Sequence, residues 1–114
     1  MNITVLGAGA WGTALAIHFA KQHHQVRLWA RDTEHVLQMK QSRSNERYLA
    51  GFVFPPQLTL ETDLQAAISA TELVLIATPV AGLRPTLEKI NPHIGAGIPI
   101  MTACKGFEVS TGKL

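Results

Sequence analysis

The sequence predicts an α/β domain in which helices cover both faces of a parallel β-sheet, and two observations carry this prediction. Short apolar runs typical of strands alternate along the chain with longer stretches of helical periodicity, joined by short connections. In addition, residues 73–77 are almost continuously apolar rather than alternating, which is typical of a central parallel strand buried on both faces. We therefore expect a doubly wound parallel sheet with the strand order 3-2-1-4-5.

The predicted elements follow one another along the chain. Strands are predicted at 3–6, 25–30, 58–60, 73–77 and 98–103, and helices at 10–22, 33–43, 63–70 and 82–90. Asp32 and Thr62 carry the side-chain oxygen that a helix N-cap requires, and Thr78 with Pro79 is typical of the start of the fourth helix. The stretch 41–57 is predicted as a long loop, and loops of this length are often functional.

Composition excludes several classes of protein. With 114 residues, 46% of them hydrophobic and 16% charged, the chain can form one domain with one core and is not a disordered segment. No apolar run approaches the roughly 20 residues of a membrane-spanning helix. The single cysteine and the lack of a signal peptide predict a cytoplasmic protein. The net charge of +2 is scattered, which speaks against nucleic acid, and the histidines form no metal-ligand pair.

The strongest chemical signal is the sequence Gly-Ala-Gly-Ala-Trp-Gly at 7–12, a G-x-G-x-x-G between the first strand and the first helix. Gly7 permits a tight turn, Gly9 lets a pyrophosphate approach the backbone, and Gly12 lets the helix pack on the strand. The first N–H groups of the helix would then hold the phosphates. This context predicts a Rossmann-type dinucleotide-binding domain, against the alternative of a merely structural turn. The predicted cofactor contacts of this turn are Gly7, Ala8, Gly9, Ala10, Trp11 and Gly12.

The end of the second strand bears on the choice of dinucleotide. An NAD site normally has an acid there to bind the ribose 2′-hydroxyl, but this chain has Ala30 followed by Arg31. A guanidinium can chelate a 2′-phosphate, which a carboxylate would repel. Asp32 is better explained as a helix cap. We therefore favour NADP(H) over NAD(H), which stays open, and the alternative for Arg31 is a solvated surface arginine.

A second candidate follows the fifth predicted strand. Lys105 comes directly after this strand, and ligands of open α/β sheets bind at the carboxyl ends of the strands. A lysine there can reach a bound anion or polarise a carbonyl group. The neighbouring Cys104 has no evident histidine base, so we expect it to be a small, partly buried residue.

Four segments of the sequence resemble a known family, the bacterial NAD(P)-dependent glycerol-3-phosphate dehydrogenases. The resemblance rests on VLGAGAWGTALA at 5–16, LWARD at 28–32, NERYLAG at 45–51 and ACKGFE at 103–108, and it extends over the whole chain in order. It implies the reversible reduction of dihydroxyacetone phosphate to glycerol 3-phosphate, the entry to phospholipid head-group synthesis. It also implies that Trp11 and Arg31 contact the cofactor, that Lys105 contacts cofactor and substrate, and that Tyr48 lies in a loop closing toward the adenosine side.

The resemblance further implies a longer protein, in which a C-terminal helical domain beyond Leu114 supplies the general-base lysine and most of the substrate phosphate site. We thus expect residues 1–114 to be a truncated dinucleotide-binding domain without a catalytic residue of its own, and inactive alone. A homodimer of the full-length protein stays open, because the sequence does not give the oligomeric state. Two other functions stay open: an NAD(P)H-binding sensor module without chemistry, and the N-terminal half of another NADP-linked reductase of the β-hydroxyacid or ketopantoate type.

Overall fold

The computed structural model describes residues 1–78, 80–95 and 97–103, and its centre is a parallel sheet of five strands. The strands of the described chain are β1 (Asn2–Leu6), β2 (Gln25–Trp29), β3 (Ser44–Asn45), β4 (Leu49–Val53), β5 (Leu58–Glu61), β6 (Leu73–Ile76) and β7 (Ile100–Thr102). The five-stranded sheet has the order β5-β2-β1-β6-β7. Numbered along the chain as five strands, this is 3-2-1-4-5, so the predicted topology is confirmed.

Helices are present in all four predicted places. They are α1 (Ala10–Lys21), α2 (Thr33–Ser42), α3 (Leu64–Ile68) and α4 (Val80–Ile90), and a short 3₁₀ helix (Asn91–His93) follows the last. None of these described helices is long and apolar enough to cross a lipid bilayer. The helix α3 is shorter than predicted, and α4 begins two residues earlier.

The central strand β1 shows how the two layers of helices are held. Its side chains alternate, so that Ile3 and Val5 lie in the core formed with α1 and α2, whereas Leu6 lies in the core formed with α3 and α4. All three are at most 2% exposed. Full burial of such a side chain stabilises the fold by about 1.5–3 kcal/mol. One apolar core on each face of the sheet therefore packs the sheet against its helices.

The predicted helix caps have different outcomes. Asp32 caps α2 as predicted: its Oδ1 accepts from the backbone N–H of Glu34 at 3.0 Å and of His35 at 3.3 Å. The Thr62 prediction is wrong, because α3 begins one residue later with Asp63 at its N-cap. The cap predicted at Thr78 is also wrong, since its buried Oγ1 has no hydrogen-bond partner in the part of the chain that the structure describes.

The stretch predicted as a long loop contains an antiparallel hairpin, formed by β3 and β4 and here called the hairpin (residues 44–53). Arg43 adopts a left-handed conformation at φ 55° and turns the chain out of α2. Phe54, only 4% exposed, then anchors the far end of the hairpin in the core. The hairpin escaped prediction because Gly51 lies inside β4 and Pro55 and Pro56 follow it, and these residues are typical of loops.

Candidate functional site

A cleft of about 840 Å³ opens at the carboxyl ends of β1, β2 and β6. The order of the strands reverses direction around β1, and open α/β sheets bind ligands at such a switch point. Segments distant in sequence meet at this one cleft. The predicted site residues that line it are Gly7, Ala8, Gly9, Ala10, Trp11, Arg31 and Tyr48.

Several predictions fall on positions outside the described residues. Lys105 and the neighbouring Cys104 lie there, and so does Pro79, which the sequence placed at the start of the fourth helix. Leu114, beyond which the general-base lysine is expected, also lies outside the described residues. The substrate contact of Lys105 and the position of the general base therefore stay predictions.

The three glycines of the glycine-rich turn (residues 7–12) differ in whether the surrounding structure leaves room for a Cβ. Gly7 has φ +116°, and a Cβ there would lie 3.0 Å from the Thr78 backbone nitrogen. A Cβ on Gly12 would overlap the Gly7 carbonyl oxygen, so α1 packs against the turn only because that atom is missing. A Cβ on Gly9 meets no described atom within 4 Å, and its φ of −72° suits any residue. The protein itself gives no reason for a glycine at 9, whereas a phosphate seated there would.

The start of α1 offers donors to an anion. Gly9 is the N-cap and has no side chain to accept a hydrogen bond, while the first turn of the helix holds no acidic residue. The N–H groups of a first helical turn have no acceptor inside the helix, and the helix dipole adds partial positive charge. Thr78, whose backbone lies next to Gly7, also lines the cleft, and its buried Oγ1 is without a partner in the described chain. These donors fit the phosphates of a dinucleotide.

The charge around the cleft is mainly positive. Among the described residues, Arg31, Arg47 and Lys89 line it together with one acid, Asp32. Arg47 Nη1 donates to Asp32 Oδ2 at 3.0 Å. This bond, followed by the bond from the His35 N–H, holds the pKa of Asp32 below its usual value, and Asp32 in turn raises the pKa of Arg47. The acid is therefore committed to the helix cap and the ion pair.

Arg31 differs from Arg47 in having no such partner. Its exposed side chain makes no hydrogen bond or ion pair within the described ranges, although it lines the cleft next to the end of β2. Ala30, where an NAD site normally has an acid, is 6% exposed and offers no polar side chain. Among the described residues, this end of the cleft thus presents an unpaired guanidinium and, at position 30, no acid for a ribose 2′-hydroxyl.

Aromatic side chains lie at the rim of the cleft. Trp11 is 39% exposed at the start of α1, and Tyr48 is 52% exposed on the connection between the strands of the hairpin. The Tyr48 ring meets the His35 ring edge to face, with centroids 5.4 Å apart. Exposed aromatic faces beside an anion site can stack on a flat ring of a ligand.

Sequence reasoning missed a buried polar cluster behind this rim. His35 lies on α2 and is only 3% exposed. Its Nε2 lies 2.8 Å from Oδ1 of Asn45, which is fully buried. Asn45 in turn bonds to Ala8 and Thr13. A polar residue gives no hydrophobic signal when it is buried, so periodicity could not find this cluster.

Comparison with known proteins agrees with this geometry. Residues 2–114 match the family described as NAD-dependent glycerol-3-phosphate dehydrogenase N-terminus. The chain is similar over its whole length to proteins named glycerol-3-phosphate dehydrogenase [NAD(P)+], with 48% identity in Neisseria gonorrhoeae and 50% in Nitrosomonas eutropha. A crystal structure of glycerol-3-phosphate dehydrogenase from Coxiella burnetii matches 92% of this chain and 34% of its own, with 35% identity and a TM-score of 0.87.

The chain spans about a third of the length of the curated relatives, 35% for the Neisseria protein and 34% for the Nitrosomonas protein. The similarity therefore concerns one domain of those proteins, the one that contains the cleft.

Proposed function

Because this chain belongs to the NAD-dependent glycerol-3-phosphate dehydrogenase N-terminal family, we propose that it is the cofactor-binding domain of an enzyme that interconverts dihydroxyacetone phosphate and sn-glycerol 3-phosphate. The observation that carries the proposal is the open space above Gly9, at the N-terminus of α1 and within the cleft. Such a position is what a pyrophosphate needs in order to contact backbone N–H groups.

The chain's own residues divide the binding of NAD(P)H between two ends of the cleft. The glycine-rich turn and the start of α1 hold the pyrophosphate through backbone N–H groups, with Trp11 beside it. At the end of β2, Arg31 contacts the adenosine side, and Tyr48 covers it from the hairpin. Because Arg31 is free and Asp32 is engaged, this end favours NADP(H) over NAD(H).

When bound, the nicotinamide supplies a hydride to the carbonyl carbon of the substrate. Lys105 follows β7 in the sequence, and β7 pairs with β6, one of the strands whose ends border the cleft. In the proposal, Lys105 contacts both nicotinamide and substrate, and its charge stabilises the oxygen that becomes negative as the hydride arrives. The proton for this oxygen comes from a lysine beyond Leu114, in the additional length that the relatives have.

The wider setting follows from the same proposal. The product would enter phospholipid head-group synthesis in the cytoplasm, and the full-length protein would be a homodimer with a C-terminal substrate domain. The additional domain is supported by the share of the relatives' length that this chain spans, about a third.

The test of this function is the substrate range of the full-length protein. NADPH oxidation is followed with dihydroxyacetone phosphate, with ketopantoate and with a 3-oxo acid as alternative substrates. We expect turnover with dihydroxyacetone phosphate alone. Preference for either other substrate would support a different NADP-linked reductase, whereas NADPH binding with no turnover of any substrate would support a sensor module.

A further inference from the structure

We propose that Asn45 is a positioning residue for the nucleotide, which ties the hairpin to the glycine-rich turn so that both walls of the cleft are held by one side chain. This inference rests on the proposed function, since it concerns how the cleft holds NADP(H). It assigns a role to a residue that does not line the cleft itself.

The amide of Asn45 uses all of its hydrogen-bonding capacity. Its Nδ2 donates to the Ala8 carbonyl oxygen at 2.9 Å and to the Thr13 Oγ1 at 2.7 Å. Its Oδ1 accepts from the Tyr48 backbone N–H at 3.2 Å and lies 2.8 Å from His35 Nε2. An amide offers two donors and two acceptor lone pairs, so this buried side chain is saturated.

The orientation of the amide follows from its partners. The Ala8 carbonyl oxygen can only accept, so the nitrogen of Asn45 must face it and Oδ1 must face His35. His35 Nε2 therefore carries the hydrogen of this bond.

The four partners belong to four different parts of the fold. Ala8 lies within the glycine-rich turn, Thr13 on α1, His35 on α2 and Tyr48 on the hairpin. The hairpin forms no ladder with the five-stranded sheet in the described chain, and β4 is mostly exposed. A segment with so little burial needs specific ties to keep one position relative to the sheet.

The hydrogen bonds of Asn45 would hold in place the residues that face the nucleotide. Arg47 and Tyr48 follow Asn45 in the sequence and both line the cleft. If the amide is removed, the hairpin can shift, and the Ala8 carbonyl and Thr13 hydroxyl lose their buried partner. Binding would then have to order Arg47 and Tyr48 anew, and ordering two such side chains is expected to weaken affinity about tenfold.

The experiment is a double-mutant cycle on the full-length protein, with Asn45→Ala, Tyr48→Ala and the double variant. The dissociation constant of NADPH is measured by fluorescence and the melting temperature by circular dichroism. We expect Asn45→Ala to raise the dissociation constant about tenfold. In the Asn45→Ala background, Tyr48→Ala should raise the dissociation constant by a smaller factor than it does alone, because the ring is no longer held in place. Additive losses, or an unchanged constant for Asn45→Ala, would overturn the inference.

The matched control is Ile68→Val, which loosens the core beside α3 and lies neither in the hairpin nor in the cleft. It should lower the melting temperature and leave the dissociation constant unchanged. An equal loss of affinity in Ile68→Val would mean that general destabilisation, not Asn45, explains the effect, and would also overturn the inference.

Two further measurements keep the test decisive. If Asn45→Ala does not fold, Thr13→Ala removes one of the four bonds and should still raise the dissociation constant, by about threefold; no change would count against the inference. If the unmodified protein does not bind NADPH at all, the proposed function fails first. Binding by the unmodified protein with unchanged affinity in Asn45→Ala refutes the positioning role alone.

Discussion

The carbonyl oxygen of Gly7 occupies the space that a Cβ on Gly12 would need. The first and last glycines of the turn are therefore required by packing, because they let α1 start directly against the end of β1. Gly9, between them, faces open space, and no described atom lies within 4 Å of the place where its Cβ would be. This difference separates the two glycines that packing requires from the one that it does not.

The first prediction follows from this separation. Gly9→Val should fold with a nearly unchanged melting temperature and lose NADPH binding, because its side chain fills the space for the phosphate. Gly12→Ala should instead lower the melting temperature, since the added Cβ collides with backbone. Fluorescence titration and thermal unfolding measure the two effects, with Ala50→Val on the exposed face of β4 as a control. Unchanged affinity in Gly9→Val would show that no phosphate lies there.

The second prediction concerns the choice of cofactor. Arg31→Ala should weaken NADPH binding by about 1–3 kcal/mol, roughly 5- to 150-fold, and leave NADH nearly unaffected because NADH has no 2′-phosphate. Lys40→Ala removes an exposed cation of α2 outside the cleft and serves as the matched control. An equal loss of affinity for the two cofactors would mean that Arg31 contacts the adenine or has a structural role.

The third prediction concerns the dependence of stability on pH. The pKa of Asp32 is lowered in the folded protein, chiefly by the hydrogen bond from Arg47. Its contribution to stability is therefore present above the usual carboxyl pKa and is lost as the pH falls through the lower folded value. Asn at 32 keeps a cap but no charge, so the melting temperature of Asp32→Asn should lie below that of the unmodified protein at neutral pH.

This gap in melting temperature should close as the pH falls below the usual carboxyl pKa and then through the lower pKa of the folded Asp32. Thermal unfolding at a series of pH values measures it. In an Arg47→Gln background the difference in melting temperature at neutral pH should be smaller, because the hydrogen bond that mainly lowers the pKa of Asp32 is gone. A gap that widens toward acid would contradict this account of the ion pair.

The fourth prediction concerns Lys105 and the division of work between domains. Residues 1–114 alone should bind NADPH but should not oxidise it with dihydroxyacetone phosphate. A positioned proton donor is worth about 10²–10⁴-fold in rate. The proposal places this donor, and most of the groups that position the substrate, outside residues 1–114. In the full-length protein, Lys105→Ala should lower turnover severely and keep most of the NADPH affinity. Steady-state kinetics and titration check both, and robust turnover by residues 1–114 or by Lys105→Ala would refute the division.

Much of the fold and part of the site could be predicted because the relevant signals are local. The apolar periods placed the five sheet strands, four helices and their order, and the spacing of Gly7, Gly9 and Gly12 marked the turn that borders the cleft. The Asp32 cap was predictable too, since it bonds to N–H groups only two and three residues ahead. Thr62 was missed by one residue, which is within the ordinary uncertainty of a helix end.

The sequence by itself determined the class of fold and the position of the glycine-rich turn, because periodicity and glycine spacing act over a few residues. The order of the strands followed from that class of fold. Only the tertiary structure decided where the hairpin lies, that His35 is buried, that Arg47 pairs with Asp32, and that Asn45 joins the hairpin to the turn. The bonds of Asn45 to Ala8 and Thr13 span 37 and 32 positions. A polar side chain becomes a structural tie only when folding brings its partners together and removes water, and no local pattern of residues records that event.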